Sequence, residues 1–267
     1  MEPTLRVPGE HDEHDEGVRT LTIDHPAKRN AMTPAMWRRL PELLAELAAD
    51  PDVRVLVLTG ADGTFCAGAD ISALRDTAEG GLPSGRGGAA REQQALAVAA
   101  EEALAAFPKP TLALVRGHCV GGGCQLAAAC DLRFAEHDAR FGITPAKLGI
   151  VYPASSTERL VRLVGPATAK FLLYSGELID AERALRVGLV DEVHHGAELD
   201  KRVAEFARTL AVRSALTQAA AKEFADGRTG PDRVEHWQRE AARSNEAAEG
   251  VAAFLDRRAP RFVWPRP

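Results

Sequence analysis

Two strand-like runs each lead into a cluster of very small residues, and this repeated unit restricts the fold more than any other feature of the sequence. The first run is Val53-Arg54-Val55-Leu56-Val57-Leu58, followed by a turn over residues 59–63 and then by Phe65-Cys66-Ala67-Gly68-Ala69-Asp70-Ile71. The second is Thr111-Leu112-Ala113-Leu114-Val115, broken at Gly117. Gly121-Gly122-Gly123 then opens a helical run from Cys124 to Cys130. Aliphatic runs bounded by glycine predict strands, and strand, turn and helix repeating in this order predict an α/β core. Small residues at these turns serve either tight helix–strand packing or close approach of backbone to a ligand. Free amides at the start of a helix, aided by its dipole, suit a developing negative charge.

The remaining pattern fits the same class. Residues 18–23 predict a short strand, and Thr33-Pro34 predicts a helix start with Thr33 as N-cap. Met36, Leu40, Leu43, Leu44 and Leu47 give that helix one buried face. Residues 131–135 return to strand. From Ala154 onward the chain reads as helical, punctuated by Gly165-Pro166 and by Asp180 as a second N-cap. Residues 232–258 read as helix, with Trp237, Ala241, Asn245, Ala248 and Phe254 at compatible spacings. The expected organisation is a disordered acidic tail at 1–16, a core at 17–195 and a helical region at 196–267. Residues 80–88 hold five glycines and predict a loop, either a tolerated insertion or a lid.

Composition excludes several classes. A net charge of -5 over 267 residues, with Lys and Arg scattered among acids, argues against nucleic-acid binding. No apolar stretch reaches the roughly 20 residues needed to span a bilayer, and residues 1–16 lack the apolar run of a secretory signal. A cytoplasmic location is the expectation. Cys66, Cys119, Cys124 and Cys130 form no C-x-x-C pair and read as free, buried thiols. His11 and His14 lie among acids and read as a solvated tail, so no metal site is expected. Neither G-x-G-x-x-G after the first strand nor G-x-x-x-x-G-K-[ST] occurs.

Taken together, the motifs closely resemble the crotonase, or enoyl-CoA hydratase/isomerase, superfamily over residues 19–262. The resemblance rests on Lys28-Arg29-Asn30-Ala31-Met32, Cys66-Ala67-Gly68-Ala69-Asp70, Pro108-Lys109-Pro110 and the triple glycine. It continues through Cys130-Asp131-Leu132, residues 141–149, Gly188-Leu189-Val190 and residues 249–254. It implies a β/α spiral core with a helical C-terminal trimerisation region, assembling as homotrimers or dimers of trimers. It also implies an acyl-CoA thioester as substrate, with no cofactor beyond coenzyme A itself. By the motif match, the thioester oxygen is expected between the amides of Ala67 and Gly122. Lys28, Asn30, Ala31, Ala69, Asp70, Ile71 and Gly121 are expected to line the nucleotide and pantetheine groove. Phe254 and Arg257 fall where family members reach a neighbouring subunit's coenzyme A. Asp70 also reads as a helix N-cap.

Two positions depart from the hydratase pattern. Family hydratases carry a glutamate directly after G-G-G-C and a second one four residues after the phenylalanine of F-G-x-P-E. Here those positions are Gln125 and Pro145. A glutamine amide has no usable acid–base pKa, and a proline side chain has no polar group. Positioned acid–base groups typically supply about 10²–10⁴-fold in rate, so efficient hydration by the two-glutamate route is not expected, while hydration with substitute groups stays open. Reactions needing only a stabilised enolate stay open. Residues 143–152 resemble methylmalonyl-CoA decarboxylase, with Thr144-Pro145 in place of Pro-Glu and Tyr152 three residues after Gly149. Tyr152 is then a hydrogen-bond donor near the substrate carboxylate or enolate, or else a core tyrosine. That relative has a histidine where this chain has Ala69 and a glutamate where it has Gln125; His118 is one substitute. The sequence supports an enolate-stabilising acyl-CoA enzyme, with decarboxylation of a malonyl-type CoA as the sharper reading. A catalytically silent acyl-CoA-binding or assembly subunit is the alternative.

Overall fold

The computed structural model describes residues 2–7, 16–72 and 88–264. His11, His14 and the glycine-rich segment up to residue 87 lie outside them. The α/β class holds. A six-stranded sheet is built from β1 (Thr4–Arg6), β2 (Val18–Asp24), β3 (Val55–Gly60), β4 (Thr111–Val115), β6 (Leu132–Glu136) and β9 (Glu192–His194). Their order is β1-β2-β3-β4-β6-β9, parallel throughout except for β1. A second, three-stranded sheet orders β5 (His118–Val120), β7 (Arg140–Gly142) and β8 (Ile179–Asp180).

Successive strand residues face opposite sides, and the two faces of the large sheet feed separate cores. Leu56 and Leu58 of β3, with Ala113 and Val115 of β4, enter the larger core with Trp37, Leu40, Leu44 and Leu104. The last four of these come from two helices, α1 (Pro34–Ala49) and α2 (Gly88–Ala105). Val55, Val57, Leu112 and Leu114 face the other way and pack on Leu199, Val203 and Ala207. These three residues form one stripe of α6 (Gly196–Ala211), so α6 is part of the core. The expected division at residue 196 therefore falls one helix too early.

The chain enters α1 through the expected cap: the Met36 N–H donates to Thr33 Oγ1, with Pro34 at the first helical position. The triple glycine leads into α3 (Gly122–Ala129). Gly165 kinks α4 (Ala154–Ser175) with a left-handed φ of 74°. Asp180 caps α5 (Ala181–Arg186), as expected. Beyond α6 come α7 (Ala215–Ala225), α8 (Pro231–Ser244) and α9 (Glu246–Leu255).

Two expectations are corrected. The predicted single helix over 232–258 breaks at Asn245, which adopts φ 56°, a conformation asparagine tolerates better than most residues. Glu246 behind it is buried and accepts from Ser214 Oγ at 2.5 Å and from the Trp264 N–H at 2.9 Å, which anchors the break. The predicted disordered tail contains β1, because Leu5 packs on the core and Arg6 pairs with the buried Asp24 carboxylate at 2.6 Å. Among the described residues no helix is long and apolar enough to cross a membrane.

Candidate functional site

The loop after β3 threads between β5 and the segment that follows β2, and its pairing decides which amides face outward. Cys66 bridges to Cys119: its N–H donates to the His118 carbonyl at 2.8 Å, and the Val120 N–H donates to the Cys66 carbonyl at 2.9 Å. Ala67 then turns the opposite way and donates to the Arg29 carbonyl at 2.9 Å. The sequence expectation gave Ala67 a ligand-facing amide; that amide is already committed to backbone, and the assignment is corrected. Ala69 differs. Its bridge to Met32 uses the Gly68 carbonyl, which accepts from the Met32 N–H at 2.8 Å, and the Asp70 N–H, which donates to the Met32 carbonyl at 2.9 Å. In such a bridge the central residue's own N–H points away from the partner, here toward α3.

Gly122 is the first residue of α3, where helical amides lack an acceptor four residues back. Gly121 turns the chain into the helix with φ 55°. A Cβ placed on Gly122 would lie 3.5 Å from the Ala69 nitrogen and 3.0 Å from the Trp37 ring. One placed on Gly123 would meet the Cys66 carbonyl oxygen at 2.3 Å. Glycine at 123 is thus demanded by packing, whereas Gly122 borders open space beside the Ala69 amide. Both readings of the glycine run are realised, at adjacent residues.

That open space is a cavity of about 300 Å³. Ala67, Gly68, Ala69, Gly121, Gly122, Gln125, Pro145 and Tyr152 contribute to its wall, as does the half-exposed Ile71. Sequence reasoning missed Trp37, Gln93, Gln94 and Thr144 in the lining. Among the described lining residues none carries a formal charge. Pro145 begins a 3-10 turn, Pro145–Leu148, and brings no acid–base group to the wall. Burial pushes the Tyr152 phenol well above its ordinary pKa, reinforced by Cys124 and Glu101 nearby, so the hydroxyl stays protonated. No hydrogen-bond partner to it occurs among the described residues, and Tyr152 belongs to the cavity lining.

Behind the cavity wall lies a cluster that sequence reasoning did not find. Gln125 Nε2 donates to Glu101 Oε2 at 2.5 Å and to Ser156 Oγ at 2.8 Å, and Ser156 Oγ donates to Glu101 Oε2 at 2.5 Å. Arg159 pairs with Glu101 Oε1 and with Glu102 Oε1 of the same chain. Glu101 is 1% exposed. Burial raises its pKa, against the lowering effects of Ser156, Gln125 and Arg159. The available signal was an acid on the apolar stripe Ala97, Ala100, Leu104 of α2, where an unpaired carboxylate would be costly.

The other expected residues divide. Lys28 Nζ reaches Asp70 Oδ2 and Ser72 Oγ, each at 2.7 Å, at the half-exposed rim. Burial raises the Asp70 pKa, but the Lys28 and Ser72 hydrogen bonds outweigh it and hold the carboxyl below the usual range. Asn30 is fully buried: its Oδ1 accepts from the His25 N–H, and its Nδ2 donates to the Ala61 and Thr64 carbonyls. It is a clamp for the loop and has no donor left for a ligand, which corrects its expected role. Ala31 is buried with its carbonyl against His25 Nδ1, and it also lies off the cavity wall. His118 sits on β5 and does not line the cavity. Phe254 is 82% exposed on α9, with Arg257 just beyond, and neither lines the cavity within this chain. Burial pushes the Cys66 and Cys130 thiols up to about 12, so both are inert at neutral pH. Among the described residues no cluster of metal-ligating side chains occurs.

The sequence profile described as enoyl-CoA hydratase/isomerase matches residues 13–264. A crotonyl-CoA hydratase of Syntrophomonas wolfei is 35% identical over 262 residues, covering 94% of this chain and 96% of the relative. A 2,3-dehydroadipyl-CoA hydratase of Escherichia coli is 34% identical, covering 92% and 94%. Among solved structures, an enoyl-CoA hydratase/isomerase family protein from Hyphomonas neptunium superposes with a TM-score of 0.86 at 33% identity, over 98% of both chains. Another member of that family gives 0.85 at 38% identity, over the whole of both.

Proposed function

Because this chain belongs to the enoyl-CoA hydratase/isomerase family, we propose that it binds an acyl-CoA thioester with the carbonyl oxygen between the amides of Ala69 and Gly122. The observation that carries this reading is the pairing of Ala69 with Met32, which leaves the Ala69 N–H directed at the start of α3. Two preorganised donors at that spot stabilise an enolate more than a neutral carbonyl, and losing one such donor typically costs on the order of 10²–10³ in rate.

The chemistry we propose is decarboxylation of a malonyl-type thioester. Gln125 and Pro145 leave the wall without a carboxylate base, which hydration or a double-bond shift by the glutamate routes requires. Decarboxylation needs none. The bond between the α-carbon and the carboxylate breaks, its electron pair forms the thioester enolate, and carbon dioxide leaves. A proton then adds at the α-carbon from the Tyr152 hydroxyl, and the phenol takes a replacement proton from solvent water as the product leaves, so that no buried phenolate persists. An uncharged wall also favours this step, because a carboxylate stripped of water is destabilised relative to a charge spread over the enolate and held by amides. Trimeric assembly belongs to the same proposal: Val251, Phe254 and Leu255 are 60%, 82% and 72% exposed on α9, a face suited to a neighbouring subunit.

The test is a panel of malonyl-, methylmalonyl- and crotonyl-CoA followed by mass spectrometry. Loss of carbon dioxide from a malonyl-type ester is the expected result. Water addition to crotonyl-CoA without any decarboxylation overturns the reaction but keeps the site. Tight binding without turnover on any ester favours the silent binder. Methylmalonyl-CoA turned over in deuterated water with the same rate and the same stereochemistry of α-carbon deuteration by Tyr152→Phe as by the wild type removes Tyr152 as the donor.

A further inference from the structure

The Glu101 cluster determines which end of the Gln125 amide meets the acyl chain. Gln125 follows Gly122 by three residues and so lies on the same face of α3, with its side chain leaning toward the helix N-terminus. Both hydrogens of its Nε2 are taken, one by Glu101 and one by Ser156. Ser156 can accept because its own hydrogen goes to Glu101. Reversing the Gln125 amide would set its carbonyl oxygen 2.5 Å from a carboxylate oxygen, two acceptors in contact. Arg159 faces Glu101 from α4 and keeps a cation against it. The amide sense is therefore fixed, and the group left over is Gln125 Oε1. That oxygen has no partner among the described residues, and Gln125 lines the cavity.

We infer that Glu101 is a positioning residue which, through Gln125, sets a hydrogen-bond acceptor in the cavity wall beside the Gly122 amide, so that the site selects acyl-CoA thioesters whose acyl chain carries a hydroxyl or amide N–H there. The carboxylate missing from the wall has in effect moved one layer outward. It also accounts for glutamine at 125, since two carboxylates at this separation cannot both stay ionised. The inference rests on thioester binding at Ala69 and Gly122 and does not depend on the decarboxylation step.

The experiment measures binding of 3-hydroxybutanoyl-CoA and butanoyl-CoA to the full-length protein, to Glu101→Gln and to Gln125→Leu, with folding of each checked by thermal melting. The wild type is expected to favour the hydroxy ester by about tenfold, which is roughly 1.4 kcal/mol. Gln125→Leu is expected to bring the ratio to about one. Glu101→Gln, the same shape without the charge, lets the amide reverse and present Nε2, so 3-oxobutanoyl-CoA, whose 3-oxygen only accepts, is expected to bind this variant more tightly than it binds the wild type. Should Glu101→Gln fold poorly, Glu101→Met, which also removes the carboxylate facing Gln125 Nε2, replaces it with the same expectation. Equal binding of both esters by the wild type would overturn the inference while leaving thioester binding intact. Binding of 3-oxobutanoyl-CoA unchanged from the wild type in Glu101→Gln, or in Glu101→Met where that stands in, would overturn the role of Glu101. Binding of neither ester would overturn this inference and the thioester reading together.

Discussion

Adjacent glycines in α3 have unlike duties. A side chain at Gly123 collides with the Cys66 backbone, whereas one at Gly122 meets only the Trp37 ring and the space by the Ala69 amide. Gly122→Ala is accordingly expected to lower kcat/KM by on the order of 10²-fold or more, with a smaller fall in melting temperature than Gly123→Ala, because its Cβ presses on the edge of the Trp37 ring and not on backbone. Gly123→Ala is expected to lower the melting temperature itself. Steady-state kinetics and thermal melting on both variants check the contrast. Glu101 adds a pH signature. Its folded pKa is raised above 4.5, so its contribution to stability is full below the unfolded value and is lost as pH rises through the folded one. Stability of the wild type is expected to fall across that window. Glu101→Gln, which cannot titrate, is expected to flatten the fall, and denaturant melts at stepped pH measure it. The glycine run and Gln125 were legible in the sequence. The choice of Ala69 over Ala67 was not, because it depends on pairing with Met32 and Arg29, far away in the chain. Glu101 was hidden because its partners, Gln125, Ser156 and Arg159, come from two other helices.

At the level of elements, local signals placed most of the fold. The Thr33 and Asp180 caps, the strand at 111–115 and the kink at Gly165-Pro166 are all where short-range chemistry puts them. What failed was tertiary. Strand β1 exists because β2 offers an edge, a pocket for Leu5 and the Asp24 carboxylate for Arg6, none of which shows in a polar tail. Helix α6 reads from sequence like the helices after it, yet it covers the second face of the large sheet through Leu199, Val203 and Ala207. Leu199 is fully buried there. Leu199→Ala is expected to cost about 2–5 kcal/mol of stability, measured by denaturant unfolding. A loss well below 1 kcal/mol would place α6 outside the core.

In the whole molecule, the large sheet and its two cores hold the loop after β3 against the N-terminus of α3, and the cavity forms where they meet. Membership of the enoyl-CoA hydratase/isomerase family fixes the framework, while the proposed departure from the glutamate routes rests on Gln125, Pro145 and Tyr152 in the cavity lining. The central claim is that a thioester oxygen sits between two particular amides. A crystal structure with a bound, unreactive acyl-CoA thioester tests it most directly. The account expects the thioester oxygen within about 2.7–3.1 Å of both the Ala69 and Gly122 nitrogens, with Ala67 still bonded to Arg29. An oxygen held by neither amide, or held by Ala67 in place of Ala69, would contradict it.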